Sequence, residues 1–349
     1  MELILLTDYR GALRQKQQTW ESLDTGRVAA GLRSAGITVR ELRYEQVVNE
    51  PVILSGATIH YTSTQDPGYR GFVDDVLYAL SLDNRLVPHY PIFRCHEDKG
   101  FQELWKRRLG IPSLDWRYLA TDRGTRRYVE DMSFPAVFKS AGGYQSRGVR
   151  LARDRDDLSR TVRRFNRPRG LAVYRLKRLI KRHVLKRRYH PEMYEECVHT
   201  GGWVLQEFVP DVPGDWKILV FADRLFALRR LSRPGDFRAS GSGRFSFDEP
   251  PARVLDLASE VCARLDVPML SADIIDGPAG CRLVEFQGVH FGTYTLDLAP
   301  HHYRRDGGGW TRVEGASVLE DEYARSLARY LRAGDAARSA GGGPGRERR

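Results

Sequence analysis

The first 96 residues alternate between short apolar runs and a segment with helical spacing. The apolar runs are rich in aliphatic and β-branched residues, which is typical of strands; they lie at 2–7, 38–44 and 57–64. Within 69–82, Phe72, Val76 and Leu80 recur at four-residue intervals, which predicts an amphipathic helix. Alternation of strands and helices indicates a small α/β domain with a parallel sheet.

The pattern changes in the remainder of the chain. Apolar spacing predicts a helix that stops at Gly110, with Pro112 beyond it, and two later helices near 253–265 and 316–332. Long apolar runs predict further strands, which lie within 202–210, 216–231 and 281–291. The run at 216–231 is interrupted at Ala222 and Asp223, which predicts a hairpin. Residues 333–349 are rich in Gly and Arg, so we expect a disordered tail.

The amino-acid composition indicates a globular protein and argues against a membrane-spanning or zinc-binding one. The chain has 349 residues, 41% of them hydrophobic and 29% charged, which is typical of a globular protein of two or three domains. No apolar run approaches the roughly 20 residues needed to cross a bilayer. The four cysteines show no paired spacing, which favours a cytoplasmic protein without a zinc site.

The net charge of +11 arises from one segment. Residues 160–188 contain Arg and Lys but no Asp or Glu, so the rest of the chain has a slight negative balance. Within this segment Val173, Leu176, Ile180 and Val184 have helical spacing. Three interpretations stay open: contact with anionic lipid, guidance of an anionic polymer, or packing of the apolar stripe on the protein with solvated charges. Sparse aromatics argue against single-stranded nucleic acid.

A lysine and a glycine-rich loop form the first candidate site. Lys139 ends the apolar run at 134–139, and the alternation of that run places its ammonium on one face of a strand. The loop that follows includes Gly142, Ser146 and Gly148. Glycines let backbone N–H groups approach phosphate oxygens, and a serine adds a hydroxyl. Taken alone, the segment fits an ordinary glycine-rich hairpin equally well.

Two carboxylates form the second candidate site. Asp273 and Glu285 occupy the same phase of two strand-like runs that are separated by a turn at 277–280, and Gln287 follows on the face of Glu285. Oxygen ligands of this kind are those that Mg²⁺ prefers when it bridges nucleotide phosphates. The alternative is that these residues are solvated strand positions.

The third candidate site is a strand that ends at a proline. Gln206, Glu207, Phe208 and Val209 precede Pro210. The backbone of such a segment can present N–H and C=O groups to an adenine edge, and Asp211 is placed for ribose hydroxyls. An ordinary strand exit followed by a solvated Asp explains the same residues.

In their order and spacing, these motifs resemble the ATP-grasp superfamily. The segment HEDKGFQELWKRRLGIPS at 96–113 strengthens the likeness, because family members have a nucleotide-facing lysine before such a helix, at the place of Lys99. The resemblance covers about 90–295. It implies an α/β fold, α+β in the catalytic lobes, in which two lobes clasp ATP behind a Rossmann-like first domain. The implied domains are 1–96, 97–205 with a basic insertion at about 160–190, 206–332, and the tail 333–349.

The resemblance also implies roles for the site residues. Lys99 and Lys139 would bind the α and β phosphates, with Ser146 and Gly148 in the phosphate loop. Residues 206–209 would contact adenine and Asp211 the ribose. The implied metal ligands, for Mg²⁺ or alternatively Mn²⁺, are Asp273, Glu285 and Gln287. Arg238, in DFRASGSGRF, would approach the transferring phosphoryl group, and Lys217 stands where better-known members have Arg.

The implied function is that of an ATP-dependent ligase, which activates a carboxylate as an acyl phosphate for attack by an amine or thiol. The carboxylate would belong to a small molecule, a glycan or a peptide, and FRASGSG is similar to proteins of cell-surface polysaccharide or peptide-conjugate assembly. Two departures favour an alternative, a catalytically weak nucleotide-binding module recruited to a membrane or anionic polymer. Gln287 replaces the usual Asn and is one methylene longer, and Lys217 gives up the bidentate geometry of Arg. Either protein would be cytoplasmic, with peripheral contact at the inner membrane face as one option.

Overall fold

The described part of the chain forms two compact units. A computed structural model describes residues 1–15, 21–64, 66–120, 125–142, 148–165, 176–177, 179–184, 186 and 201–340. The first unit comprises Met1–His96, Trp105–Ser113 and the chain from Asp211 onward; the second comprises Glu97–Leu104 and Leu114–Pro210. The domain boundaries expected from the sequence stay a prediction.

The first unit begins with the predicted parallel sheet. Its strands are β1 (Glu2–Thr7), β2 (Thr38–Arg43), β3 (Thr58–Tyr61) and β4 (Arg85–Val87). Its helices are α1 (Thr25–Ser34), α2 (Tyr44–Asn49), α3 (Pro67–Ser81) and α4 (Tyr90–Cys95). The strand order is β2-β1-β3-β4, and all three pairings are parallel. The expected α/β domain with parallel pairing is therefore confirmed.

Local chemistry explains where these helices start. The Asp24 carboxylate accepts a hydrogen bond from the Arg27 amide at the start of α1, and Asp66 accepts from the Gly68 amide at the start of α3. Pro67 then occupies the first turn of α3, where its missing N–H has no intrahelical partner to lose. These caps satisfy amides that a helix leaves unpaired at its start.

The second unit contains an antiparallel sheet. Its strands are β5 (Trp116–Leu119), β6 (Ala136–Ser140), β7 (Val149–Ala152) and β8 (Trp203–Glu207), in the order β5-β8-β6-β7. Its helices are α6 (Thr125–Tyr128), α7 (Arg155–Phe165) and the first part of α5 (Lys99–Arg108). The core lies under β6 and β8, where the rings of Phe138 and Trp203 stack with centroids 5.4 Å apart.

The basic segment has a short described part, a π-helical turn at Ile180–Val184 with a few residues before and after it. Leu176, Ile180 and Val184 are exposed, so the described members of the apolar stripe do not pack on the protein. The interpretation in which this stripe is buried is wrong for these three residues, because their apolar surface faces solvent. Val173 lies outside the described residues.

A seven-stranded antiparallel sheet completes the first unit. Its strands are β9 (Gly214–Phe221), β10 (Arg224–Leu231), β11 (Phe245–Ser246), β12 (Met269–Gly277), β13 (Gly280–Gln287), β14 (His301–Asp306) and β15 (Gly309–Glu314). Their order is β13-β12-β9-β10-β14-β15, with β11 paired to β10. The predicted hairpin at Ala222 is confirmed, and this residue has the left-handed φ of 56°.

Three helices accompany this sheet: α8 (Ala252–Leu265), α9 (Tyr294–Asp297) and α10 (Leu319–Ala340). The helix α10 packs closely against α1, since a Cβ on Gly31 would lie 2.7 Å from the Cβ of Ala324. It also continues to Ala340, so the expected disordered tail from residue 333 is wrong for its first eight residues. Residues 341–349 lie outside the described residues. No helix among the described residues is long and apolar enough to cross a membrane.

His60 links the parallel sheet to α10 through a buried polar contact. Its Nδ1 lies 2.8 Å from the Val87 carbonyl oxygen, and its Nε2 lies 2.8 Å from the Tyr323 hydroxyl. Because a carbonyl only accepts, Nδ1 carries the proton and Nε2 accepts from Tyr323. Burial, opposed by the hydrogen bond to Val87, lowers the pKa of His60 to about 4. The ring is therefore neutral in the folded protein at pH 7.

This contact predicts that folding stability decreases in mild acid. Below pH 6.5 the unfolded chain binds a proton on His60 that the folded chain does not accept until about pH 4. The free energy of unfolding attributable to this residue should fall across that window by on the order of 3 kcal/mol. Urea unfolding at pH 7 and pH 5 should detect about 2 kcal/mol of this loss, because the folded protein accepts the proton only near pH 4.

The matched control is His60→Gln. This variant should be less stable than the wild type at pH 7, because it loses the ring contacts, but its stability should depend less on pH. Equal pH dependence in the two proteins would show that His60 does not cause the acid sensitivity.

Candidate functional site

In the second unit, Lys139 lies at the centre of a buried polar chain. Its ammonium donates to Gln206 Oε1, and Gln206 Nε2 donates to Glu103 Oε1 at 3.2 Å. The pairing of β6 with β8 places Lys139 opposite Val204, two residues from Gln206 and on the same face. All three polar side chains are buried. The Lys139 side chain is thus fixed on one face of the sheet by Gln206.

Lys99 lies close to the end of the Lys139 strand. It is the first residue of α5, and its backbone N–H donates to the Ala141 carbonyl at 2.8 Å. The helix starts here because the Asp98 carboxylate accepts from the Phe101 amide. Tyr118 fills the space beside Gly100, where a Cβ would lie 2.2 Å from its ring. The structure therefore brings the starts of both predicted phosphate-binding segments to one region of the second unit.

The glycine-rich loop is described only at its two ends. Gly148 has a φ of +81°, and its carbonyl accepts from the Ser140 amide at 3.2 Å. A Cβ at this position would lie 2.3 Å from Ser140 Oγ. Ser140 Oγ in turn donates to the Gly142 carbonyl at 2.7 Å. Gly148 is therefore required by the backbone and by Ser140, whereas Ser146 lies outside the described residues.

The predicted adenine segment leaves β8 as expected from the sequence. Glu207 ends the strand, and its backbone N–H donates to the Asp115 carbonyl at 2.8 Å. Phe208 and Val209 are half-buried, and their contact with adenine stays a prediction. The Gln206 side chain is engaged with Lys139 and Glu103, so only its backbone can serve an adenine edge. Asp211, with a φ of +58°, belongs to the first unit.

In the first unit, strand register brings the predicted metal ligands onto one sheet face. Asp273 on β12 pairs directly with Glu285 on β13, and Ser271 pairs with Gln287. Directly paired residues point to the same side of a sheet, and residues two apart on a strand share that side. The three side chains are therefore neighbours. Whether they bind a metal stays a prediction.

Cations approach the same carboxylate from β9 and β10. Arg230 Nη2 lies 2.7 Å from Asp273 Oδ2, and Lys217 Nζ lies 3.7 Å from Asp273 Oδ1. Arg230 is held in place by Asp215, which accepts two hydrogen bonds of 2.7 Å from its guanidinium. Lys217 also donates to Ser271 Oγ at 2.7 Å.

The charges of this network are set by burial and by each other. Burial alone would raise the pKa of Asp273, but the charges of Arg230 and Lys217 hold it below its ordinary value. Burial lowers the pKa of Lys217, although Asp273 opposes that effect. Asp273 is consequently ionised at pH 7, as a metal ligand must be.

The residues present fit a divalent cation in one respect. Asp273 Oδ1 is buried and accepts no hydrogen bond from the described residues, so one carboxylate oxygen is left for a further ligand. The described residues contain no group of three or more His, Cys, Asp or Glu side chains that could hold a metal. The predicted metal ligands are two carboxylates, Asp273 and Glu285, and one amide, Gln287, so they do not form a group of that kind.

Arg238 lies in the loop between β10 and β11 and forms a two-pronged ion pair with Asp236. Its Nε lies 3.0 Å from Asp236 Oδ1 and its Nη2 lies 2.7 Å from Oδ2. Hydrogen bonds from Arg238 lower the pKa of Asp236 to about 2. The guanidinium is half-exposed and fixed in orientation. Its expected approach to a phosphoryl group stays a prediction.

Sequence reasoning missed four residues of these two networks: Glu103, Asp215, Arg230 and Ser271. Arg230 carried a usable signal, because a charge within the apolar run 225–231 either faces solvent or has a buried partner. Arg229 and Arg230 are adjacent, so the sequence does not show which of them faces inward. The pairing of Arg230 with Asp215 decides it.

Comparison with known proteins assigns the fold. No family model matches the chain, and no curated protein matches it in sequence. Among solved structures it is similar to the D-cycloserine synthetase DcsG, with 16% identity, a TM-score of 0.55, and coverage of 95% of this chain and 100% of that one. It is also similar to the macrocyclase MdnC from Microcystis aeruginosa MRC, bound with precursor peptide MdnA (11% identity, TM-score 0.53, coverage 94% and 100%).

A third similar structure is an ATP-grasp ligase associated with a RiPP from Chryseobacterium gregarium, in complex with ADP and a leader and core peptide. Its identity to this chain is 11%, its TM-score is 0.52, and 100% of this chain and 99% of that chain are covered. These similarities show that the chain has the ATP-grasp fold. The fold expected from the sequence is confirmed.

The substitution Gly148→Ala should destabilise the second unit. The new methyl group would clash with Ser140 and would also require a positive φ. We expect the free energy of unfolding to fall by about 1–3 kcal/mol, as measured by urea denaturation.

The control is Gly36→Ala, which has a φ of +77° and no atom within 4 Å of the new Cβ. It reports the backbone cost alone, about 1 kcal/mol. A Gly148 variant that costs no more than the control would contradict the role of the Ser140 contact.

Proposed function

We propose that the protein is an ATP-dependent ligase that activates a carboxylate as an acyl phosphate for attack by an amine or thiol. The observation that carries the proposal is the pair Asp273 and Glu285, directly opposite each other in an ATP-grasp fold, with Asp273 Oδ1 buried and open to a further ligand. In the second unit, the Lys139 ammonium is held by Gln206 and the Lys99 backbone by Ala141, and in this proposal the two lysines supply positive charge to phosphate oxygens.

Each group has a distinct task in this proposal. Lys99 and Lys139 hold phosphate oxygens, the backbone of residues 206–209 receives adenine, and Asp211 receives the ribose. Asp273, Glu285 and Gln287 hold Mg²⁺ or Mn²⁺, which supplies positive charge to the triphosphate when bound.

Arg230 and Lys217 are proposed to stabilise negative charge near the reacting phosphoryl group. Both lie on the sheet face of Asp273 and are held there by Asp215 and Ser271. Fixed donors of this kind stabilise developing charge without having to reorganise. Lys217 offers a point charge in place of a planar fork, and Arg230 provides the fork one strand away. Arg238 would join them if it shares its guanidinium between Asp236 and the phosphoryl oxygens.

The carboxylate substrate is proposed to be a small molecule, a glycan or a peptide. Two of the similar structures contain a peptide, which supports including peptide carboxylates among the first compounds tested. An origin in cell-surface polysaccharide or peptide-conjugate assembly, in the cytoplasm, is part of the same proposal.

A catalytically weak nucleotide-binding module is the alternative. Asp273 already has two cationic partners, which compete with a metal for its oxygens, and Gln287 is longer than the usual Asn. Such a module could be recruited to an anionic membrane or polymer through the basic segment. Leu176, Ile180 and Val184 are exposed beside Lys177 and Lys181, as in an interfacial segment.

The ligase proposal predicts ADP release that requires both a carboxylate and an acceptor. The measurement uses the full chain with ATP, Mg²⁺ and a panel of small, peptide and acidic glycan carboxylates, each with amines or thiols. Lys139→Met should weaken ATP binding by about 10- to 100-fold, because a charge-assisted hydrogen bond is lost. Glu285→Gln should lower ADP release by at least about tenfold.

Asp276→Asn is the matched control. Asp276 lies on β12 like Asp273, but it pairs with the exposed Arg253 and should be dispensable for activity. Tight ATP binding without ADP release across the panel would favour the weak module instead. Equal loss of activity in the Asp276 and Glu285 variants would contradict the assigned site.

Recruitment to a membrane predicts binding to anionic vesicles. Each basic residue near the surface contributes about 1 kcal/mol, so the double variant Lys181→Glu, Arg182→Glu should weaken binding to phosphatidylglycerol vesicles by at least about tenfold. Co-sedimentation measures this, with phosphatidylcholine vesicles as the control. Equal binding to both vesicle types would remove the membrane from the proposal.

A further inference from the structure

A second cluster of charge surrounds the turn between β9 and β10 in the first unit. Asp223 is contacted by three arginines: Nη1 of Arg325, Nη1 of Arg329 at 3.0 Å, and Nη2 of Arg304 at 3.3 Å. Arg325 also donates to the Phe221 carbonyl at 2.9 Å. Together these residues bring β14 and α10 against one turn.

A second carboxylate lies beside the first. Glu322 pairs with Arg224 and accepts from Arg325 Nη2 at 2.9 Å. Glu322, Arg325 and Arg329 follow each other at intervals of three and four residues, so they share one face of α10. Four guanidinium groups therefore meet two carboxylates, which leaves a net charge of +2 at this place.

The carboxylates show how strong the positive field is. Burial would raise the pKa of Asp223, but hydrogen bonds and charge from Arg325, with the charge of Arg329, lower it to about 2. Burial lowers the pKa of His302, and the charge of Arg224 lowers it further, as do Arg304 and Arg325. His302 is thus close to the same arginines and is neutral.

Buried donors at this cluster have no partner among the described residues. Neither ring nitrogen of His302 makes a hydrogen bond, and neither does Arg224 Nε. His302 is only 7% exposed, so water at the surface does not satisfy it. The centroids of the His302 and Phe226 rings are 5.7 Å apart. Residues two apart on a strand share a sheet face, so Phe226 lies on the face of Arg224 and His302 on the face of Arg304. These nitrogens therefore belong to the arginine side of the sheet.

A closed salt-bridge network does not account for this arrangement. A guanidinium has five N–H donors, yet Arg304 and Arg329 each make one ion pair, with Asp223, among the described residues, and both side chains are half-exposed. Arg224 Nε and the ring nitrogens of His302 are buried without a partner among those residues, which is rare because each such group costs about 1–3 kcal/mol. An excess of donors together with a charge of +2 is what a dianionic oxyanion would satisfy.

We propose that Arg224, Arg304, Arg325 and Arg329 form a binding site for a small dianionic oxyanion of the phosphate class. The site lies at β10, β14 and α10 and is separate from the residues assigned to ATP. Its ligand is inorganic phosphate or a phosphate monoester. Since the ligand would connect α10 to the β9–β10 turn, its binding would stabilise the first unit. The proposal does not depend on the ligase function.

Calorimetric titration of the full chain at constant ionic strength tests the site. Inorganic phosphate and glycerol phosphate are the two probes, with chloride as the blank. We expect saturable binding of at least one probe, and the preferred probe distinguishes the free ion from a monoester. Arg304→Gln and Arg329→Gln should each weaken binding by about 10- to 100-fold, since each removes a charge-assisted hydrogen bond.

Asp223→Asn provides a readout that a purely structural role would not give. This variant loses the ion pairs to three arginines and should unfold more easily without phosphate. It should nevertheless bind phosphate several-fold more tightly, because a competing carboxylate charge is gone. A structural salt-bridge cluster predicts lower stability and no gain in binding.

Two controls separate this site from others. Arg312→Gln removes an exposed arginine of β15 that pairs with Glu314, and it should leave phosphate binding unchanged. Lys139→Met removes a residue assigned to ATP phosphates and should also leave this binding unchanged. Absence of saturable binding, equal binding in all arginine variants, or loss of binding in Lys139→Met would each overturn the proposal. The phosphate titration is independent of the ADP-release assay, so failure of this proposal can be distinguished from failure of the ligase proposal.

Discussion

The buried ion network around Asp273 is the interaction on which the candidate site depends. Taking a carboxylate out of water costs several kcal/mol, and the cost is offset only when cations and donors surround it in good geometry. Arg230 meets this requirement because Asp215 fixes its guanidinium while its remaining edge reaches Asp273. Lys217 adds a second charge from the neighbouring strand. The network thereby keeps Asp273 ionised and oriented, and it leaves Oδ1 as the one oxygen that accepts no hydrogen bond from the described residues.

The same region carries an irregularity in its strand pairing. Between the pairs Asp273–Glu285 and Ile274–Leu283 the register shifts, so Val284 is an extra residue on β13. Bulges leave ladder groups unpaired and re-aim side chains next to functional sites. Here the Val284 carbonyl accepts from the buried Lys106 ammonium at 3.3 Å, and the Leu283 amide donates to the Pro112 carbonyl at 3.2 Å. The last part of α5 and the segment after it therefore fix the strand that presents Glu285 and Gln287.

That Asp273 and Glu285 lie on two strands joined by a turn at 277–280 could be predicted from the sequence, but their direct pairing could not. The regular register of this hairpin would pair Asp273 with Val284, and the bulge at Val284 brings Glu285 opposite Asp273 instead. The sequence also does not show that Arg230 belongs to the site, since its partner Asp215 is set by the pairing of β9 with β10. The bulge at Val284 could not be predicted either, because the Val284 carbonyl accepts from Lys106, which lies 178 residues away in the chain.

Gln206 has a structural role that the sequence did not indicate. The sequence placed this residue at the nucleotide, whereas its side chain lies between Lys139 and Glu103. An amide in this position connects a buried ammonium to a buried carboxylate, because its oxygen accepts from Lys139 while its nitrogen donates to Glu103. Gln206 therefore fixes the lysine side chain on its sheet face. The sequence pattern of a strand that ends at a proline does not reveal this role, because Glu103 lies 103 residues away in the chain.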